Sequence, residues 1–423
     1  MNSDRLIAGL DIGSAKTTAI IAEVVGDLPK HPTIKVLGVG QARTTGMRRG
    51  VVSDIEETTR SIRKALQDAE RMAGAQITEV YLGIAGEHVR AMTSKGIVAV
   101  SNDEIGKSDV DRANEVARAQ AIPTDRELLH AIPQEYTVDK DSGIRDPIGM
   151  SGTRLETEMY LVTIGSAPAT NLRKSVERAG YKVRELVLEP LASALAVLTE
   201  DEKELGVALV EMGAGTTDLA VFHEGKIRHL GTIAFGGNNV TSDIVHGLGV
   251  TQADAERLKE KHGCAYESLV DPTDIIQLPS TVAQGDRQIP RELLAHIIHQ
   301  RMDEIFDLVQ RDVAAAGFAG KLAAGVVLTG GAASMEGSAE LASDVFGTGV
   351  RVGTPSEQIG GLSDSVDAPQ FATVVGLMQY GAHRMALGGA SASAKRIKLP
   401  GGGAGGGMDK LVERIKFWLQ DFF

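Results

Sequence analysis

One cysteine, Cys264, is all the thiol chemistry in these 423 residues. An intramolecular disulfide needs two cysteines and an all-cysteine zinc site needs four. Both are excluded, and a reducing cytoplasm is the expected compartment. Long apolar runs are missing too. Nothing approaches the roughly 18 consecutive apolar residues of a membrane span, so any membrane role is expected to be peripheral. The apolar start at residues 6–10 breaks at Asp11, with no small-residue cleavage site behind it, and no signal peptide is expected. Positive charge is short. Lys and Arg number 44 against 56 Asp and Glu, a net charge of -12, which repels nucleic acid; no nucleic-acid partner is expected. Finally, no Gly-Lys-Ser/Thr closes a phosphate loop and no G-x-G-x-x-G follows the first strand, so Walker and dinucleotide sites are excluded.

What is present is enough chain, 43% apolar, for two or more domains with their own cores. Two glycine-rich turns recur 200 residues apart. Residues 7–18 read IAGLDIGSAKTT and residues 207–218 read VALVEMGAGTTD, each followed by a second apolar stretch. Both predict a strand ending in a carboxylate, a tight turn of small residues, and a returning strand. Two ordinary hairpins would also account for them. Because carboxylate, glycine and hydroxyls repeat in register, an internal duplication is the economical explanation.

Small turn residues let backbone N–H groups approach phosphate oxygens, hydroxyls add donors, and a carboxylate can hold Mg2+ through water. Two such turns facing each other across a cleft would clamp a polyphosphate. Thr329-Gly330-Gly331-Ala332 after an apolar strand offers a flat backbone surface for adenine or ribose, or is a plain strand-to-helix turn. Glu256 and Lys259, three apart on a charged helix, share a face and can both reach a ribose, or form a solvated ion pair.

With these motifs in place, the chain resembles the actin and Hsp70 ATPase superfamily. Asp11 to Ser14, Glu211 to Asp218 and Leu328 to Gly331 look like its phosphate 1, phosphate 2 and adenosine motifs. Glu189-Pro190-Leu191-Ala192-Ser193-Ala194 and residues 371–377 (FATVVGL) look like its connecting helices. Residues 46–55 (GMRRGVVSDI), 83–88 (GIAGEH), 130–136 (HAIPQEY), 146–152 (DPIGMSG) and Arg154-Leu155-Glu156 are similar to one family within it, the FtsA family of bacterial cell-division proteins.

The resemblance implies an α/β, actin-like two-domain ATPase fold with an inserted small α+β subdomain. It implies a first domain at residues 1–84 and 159–190, the insertion at 85–158, a second domain at 191–236 and 319–370, a further subdomain at 237–318, and a closing helix at 371–386. ATP is expected against Gly13, Ser14, Ala15, Lys16, Thr17, Gly213, Ala214, Gly215, Thr216, Gly236, Gly237, Glu256, Lys259, Gly330, Gly331 and Ala332. Mg2+ is expected near Asp11 and Glu211 through water, with Glu189 and Asp218 as the catalytic candidates. Where the superfamily usually has Asp, this chain has Glu211, and the extra methylene shifts the carboxylate by more than about one ångström, so slow or negligible turnover is expected.

Partners implied are a second copy of the chain in a protofilament, other division proteins, and the C-terminal peptide of the tubulin-like FtsZ. That peptide would dock on residues 237–318, where Arg301 and Arg311 are candidate contacts or simply solvated charges. A pilus or secretion scaffold shares the nucleotide motifs, and a sugar kinase would need an acceptor-site base that no residue identifies.

The C-terminus reads differently. Residues 387–408 are rich in Gly, Ala and Ser and predict a flexible linker, above all at 401–407. Beyond it Leu411, Val412, Ile415, Trp418, Leu419 and Phe422 fall on one face of a helix over 409–423, with the sole tryptophan among them. A helix of about 22 Å is too short to span a bilayer but fits its headgroup boundary. The expectation is a peripheral anchor on the cytoplasmic face of the cell membrane at the division site; docking on a protein is the alternative.

Overall fold

The computed structural model describes residues 5–27, 31–281, 285–355 and 359–396. Strand Leu6–Ile12 pairs antiparallel with Lys16–Asp27, which pairs with His31–Arg43; on its other side it runs parallel to Glu79–Ile84, with Lys182–Leu188 beyond. The second half repeats the scheme. Val207–Met212 pairs antiparallel with Thr217–His223, then Lys226–Ile233, and parallel with Val326–Thr329, then Val350–Val352. Asp11 lies opposite Thr18 and Glu211 opposite Asp218. The turns close alike: the Gly13 N–H donates to the Lys16 carbonyl at 3.0 Å and the Gly213 N–H to the Thr216 carbonyl at 2.9 Å. The sequence repeat is therefore a structural repeat.

Strands buried on both faces need apolar side chains on both, and all six residues of Val207–Met212 are buried. Helices Ile55–Ala73 and Ser166–Ala179 cover one face of the first sheet, and helices Gly237–Leu248 and Arg291–Ala315 cover the outer face of the second. Between the sheets lie Glu189–Val197 and Ala372–Arg396. One core joins Ile7 and Ile20 of the first sheet, Leu191 and Val374 of these helices, and Leu209 and Phe222 of the second. The two central helices cross in near contact: a Cβ added to Gly376 would lie 1.8 Å from the Ala192 carbonyl oxygen, so only glycine fits.

A third, four-stranded sheet in the order Arg90–Ala99, Arg154–Gly165, Arg126–Val138, Asp141–Ile144 carries helix Lys107–Arg118 and is the insertion. Three expected boundaries change. The insertion's sheet runs to Gly165 rather than 158, because Arg154–Gly165 is one strand, paired with Arg90–Ala99 as far as Thr163 and with Arg126–Val138 as far as Gly165. Ile359–Gly361, expected in the second domain, pairs parallel with His31–Arg43 at the edge of the first sheet. The closing helix runs to Arg396 rather than 386, since the Ala and Ser there are compatible with helix and Gly388 and Gly389 do not stop it. The remainder of the expected linker, 397–408, and the amphipathic segment 409–423 lie outside the described residues.

Candidate functional site

The two turns meet across a cleft of about 520 Å³ between the domains. Close approach is built in. A Cβ on Gly215 would stand 2.5 Å from the Ser14 Oγ, 3.0 Å from the Ser14 Cβ and 3.3 Å from the Arg49 Cα. Backbone from the two repeats thus converges where side chains larger than serine have no room.

Most of the expected residues line the cleft: Gly13, Ser14, Ala15 and Lys16 from the first turn, Gly213, Ala214, Gly215 and Thr216 from the second, and Gly237, Glu256, Lys259, Gly330, Gly331 and Ala332 at the other end. Two do not. Thr17 is fully buried behind its turn, where its hydroxyl meets the Thr44 Oγ1 at 2.7 Å and donates to the Ser61 Oγ at 3.0 Å. The hydroxyl thus ties the turn to helix Ile55–Ala73 through Ser61 and to the chain after strand His31–Arg43 through Thr44. Gly236 sits behind the second turn, where an added Cβ would lie 2.6 Å from the Gly213 carbonyl oxygen. Glu256 and Lys259 do share a face: the Lys259 Nζ donates to the Glu256 Oε2 at 2.8 Å, the Thr241 Oγ1 at 2.8 Å and the Gly237 carbonyl at 3.1 Å.

Four carboxylates, Asp11, Glu189, Glu211 and Asp218, also line the cleft. Burial pushes Asp11 up to about 7. Burial raises Glu189 well above the usual range, and the charges of Asp11, Glu211 and Asp218 add to it. Asp11 and Glu189 are partly buried, whereas Glu211 and Asp218 are 9% and 5% exposed. Burial lifts Glu211 to about 7 against the pull of two hydroxyl donors, and Asp218 to about 6 against those of Thr232 and Thr216.

Those donors to Glu211 were not foreseen. The Ser193 Oγ donates to its Oε2 at 2.7 Å, the Thr373 Oγ1 donates to its Oε1, and both hydroxyls come from the two central helices. Gly50, also unforeseen, reaches the cleft wall from a hairpin, Met47–Arg48 with Val51–Val52, whose tip residues Arg49 and Gly50 have φ of 49° and 75°. Paired positive φ is the two-residue turn that suits a tight hairpin.

The expected peptide contacts fare unequally. Arg301 is committed within the chain: its guanidinium pairs with Asp243 at 2.6 Å and with Glu304, and lies 5.6 Å from the Phe235 ring centre. An arginine so paired gives a partner little free charge. Among the described residues Arg311 pairs only with Asp307, one helical turn away, and its side chain is 71% exposed.

Across its full length the chain is 40% identical to the cell division protein FtsA of Pseudomonas aeruginosa, covering 99% of that protein. It is 38% identical to FtsA of Escherichia coli over 99% of the chain and 98% of the relative. The chain belongs to the FtsA family of cell division proteins. Residues 208–376 match the family model described as cell division protein FtsA, and residues 86–163 match the SHS2 domain inserted in FtsA, close to the insertion seen here. Among solved structures, the PilM–PilN type IV pilus biogenesis complex aligns with a TM-score of 0.62 at 16% identity, covering 89% of this chain and 98% of that one. MreB5 of Spiroplasma citri bound to ADP aligns with a TM-score of 0.55 at 15% identity, covering 90% and 97%. The fold is actin-like, and family membership gives the chain a role in cell division.

Proposed function

We propose that the chain binds ATP in this cleft, polymerises as an actin-like protofilament, and ties FtsZ to the inner face of the cytoplasmic membrane, where later division proteins join. The observation that carries nucleotide binding is the meeting of the Gly13 and Gly213 turns over the carboxylate cluster, a geometry suited to backbone donors on either side of a polyphosphate. Such a ligand needs a cation among these carboxylates. Asp11 and Glu211, at the ends of the two matching strands and both lining the cleft, are the carboxylates that would hold a hydrated Mg2+ through water. When bound, Mg2+ supplies the positive charge that neutralises phosphate and carboxylate together.

Glu189 begins the first central helix and is the candidate that would orient attacking water. Glu211 is drawn back by Ser193 and Thr373, so turnover is slow or negligible. Asp218, held by Thr216 and Thr232, shapes the second turn. Membrane attachment rests on the apolar stripe from Leu411 to Phe422, and docking of the acidic FtsZ peptide on the helix carrying Arg311. Among the described residues no helix is long and apolar enough to cross a membrane.

The deciding experiment is co-sedimentation of FtsZ with anionic vesicles. The full chain with Mg-ATP should carry FtsZ down. A chain ending at Gly407 should bind ATP equally but leave FtsZ in solution; FtsZ sedimenting with that shortened chain refutes the adaptor reading.

A further inference from the structure

Glu211 is the one cleft carboxylate with hydrogen bonds to both central helices. Ser193 lies on Glu189–Val197 and Thr373 on Ala372–Arg396, and their oxygens are 3.1 Å apart, on either side of the crossing at Ala192 and Gly376. Each hydroxyl has one proton. With the carboxylate ionised, both protons point at Glu211, and the Ser193–Thr373 approach is a contact rather than a third bond. All three side chains are buried, with Glu211 and Thr373 at the cleft wall, where a ligand in the cleft can reach them.

We propose that Ser193 and Thr373 are positioning residues that hold the Glu211 carboxylate against the helix crossing, and that a hydrated divalent cation brought in with a nucleoside triphosphate competes with them for it. The inference rests on the nucleotide reading above. The longer Glu side chain is what makes the tie possible: it reaches from the end of strand Val207–Met212 to both helices. Occupation of the cleft thereby acts on the joint between the domains. In the tied arrangement the carboxylate joins strand and both helices. Drawn toward a cation, it leaves two hydroxyls that bond each other, and the helices lose their common anchor.

The test uses the full chain, a fluorescent ATP analogue, and Mg2+ titrated into the nucleotide-loaded protein. Thr373→Val removes one competing donor at nearly constant volume. A hydrogen bond to a charged group is worth enough that Mg2+ should bind on the order of tenfold more tightly in the presence of nucleotide. Thr373→Ser, which keeps the hydroxyl, should match the parent. Without nucleotide, Thr373→Val should melt earlier than the parent, and Mg-ATP should raise its melting temperature by more. A Thr373→Val protein that binds the analogue yet shows unchanged or weaker Mg2+ affinity overturns the tie, because the hydroxyl would then hold Glu211 toward the metal. Failure of parent and variants alike to bind the analogue at any Mg2+ concentration removes the nucleotide reading itself, and the tie's competition with it.

Discussion

Replacing Gly215 with valine tests whether the two turns work as one clamp. The substituted Cβ would stand 2.5 Å from the Ser14 Oγ and 3.0 Å from the Ser14 Cβ. Turning the serine hydroxyl away relieves the first contact but not the second, and the Arg49 Cα at 3.3 Å closes the remaining direction. The turns must separate by several tenths of an ångström before either γ-methyl of valine is placed. If two backbone N–H donors then lose a charged phosphate oxygen at about 1.5–3 kcal/mol each, the loss is about 3–6 kcal/mol, roughly 10²- to 10⁴-fold in affinity. The fold should survive, because the cores on either side of the cleft do not include this turn. The assay is titration of ATP by calorimetry, alongside thermal melting. Pairing Gly215→Ala with Ser14→Gly should recover binding relative to Gly215→Ala alone, since the glycine gives back the space. Undiminished ATP affinity in a folded Gly215→Val protein would refute the clamp.

Acidity offers another check. Asp11, Glu189, Glu211 and Asp218 all have folded pKa values above their ordinary ones. The folded chain thus binds more protons than the unfolded one between about pH 4 and 7, and stability from these groups is lost as pH rises through that window. Burial of His88, His130 and His383, which lowers them to about 4, 3 and 4, pulls stability the other way over the same range, so the cluster is read by difference: Glu211→Gln should raise the ligand-free melting temperature more at pH 7.5 than at 5.5, and an equal change at both contradicts the burial of this carboxylate. Gly376→Ala should be strongly destabilising, about 1–3 kcal/mol or more in urea unfolding, because the added methyl meets the Ala192 backbone. Trp418→Glu removes an aromatic anchor and adds a carboxylate, together several kcal/mol at the interface, so the monomer should detach from anionic vesicles. Sedimentation equal to the parent, with no blue shift of the parent's lone tryptophan on adding lipid, would make the tail a protein-docking helix.

The repeated turns were legible because the chemistry restricts them to few residue types and the strand register preserves their order. The Glu211 tie was not: its partners are 18 and 162 residues away, and a hydroxyl on a buried helix face carries no mark of what it meets. Ser193 and Thr373 both stood in the stretches resembling connecting helices, the only available signal. Ile359–Gly361 escaped notice since three residues, two of them glycine, have no strand pattern of their own and depend on the waiting edge of His31–Arg43. The pairing of Arg301 with Asp243, 58 residues away, was likewise illegible, because charge alone does not say which side chain it will meet.

That short edge strand also bears on how the molecule can be taken apart. The first sheet is assembled from chain positions as distant as Leu6 and Gly361, so neither half can be expressed as a self-sufficient fragment: each cut would strip the other piece of a strand or a central helix. The insertion is only partly independent. Its entry and exit lie side by side, with Arg90 opposite Thr163 in adjacent strands, and its far end carries a small core around Ile105, Val110 and Leu155. Its near end is sewn into the body, with Ile132, Tyr160 and Val162 in the central core and Ile164 in that of the first domain, so cutting it away would lay both cores open.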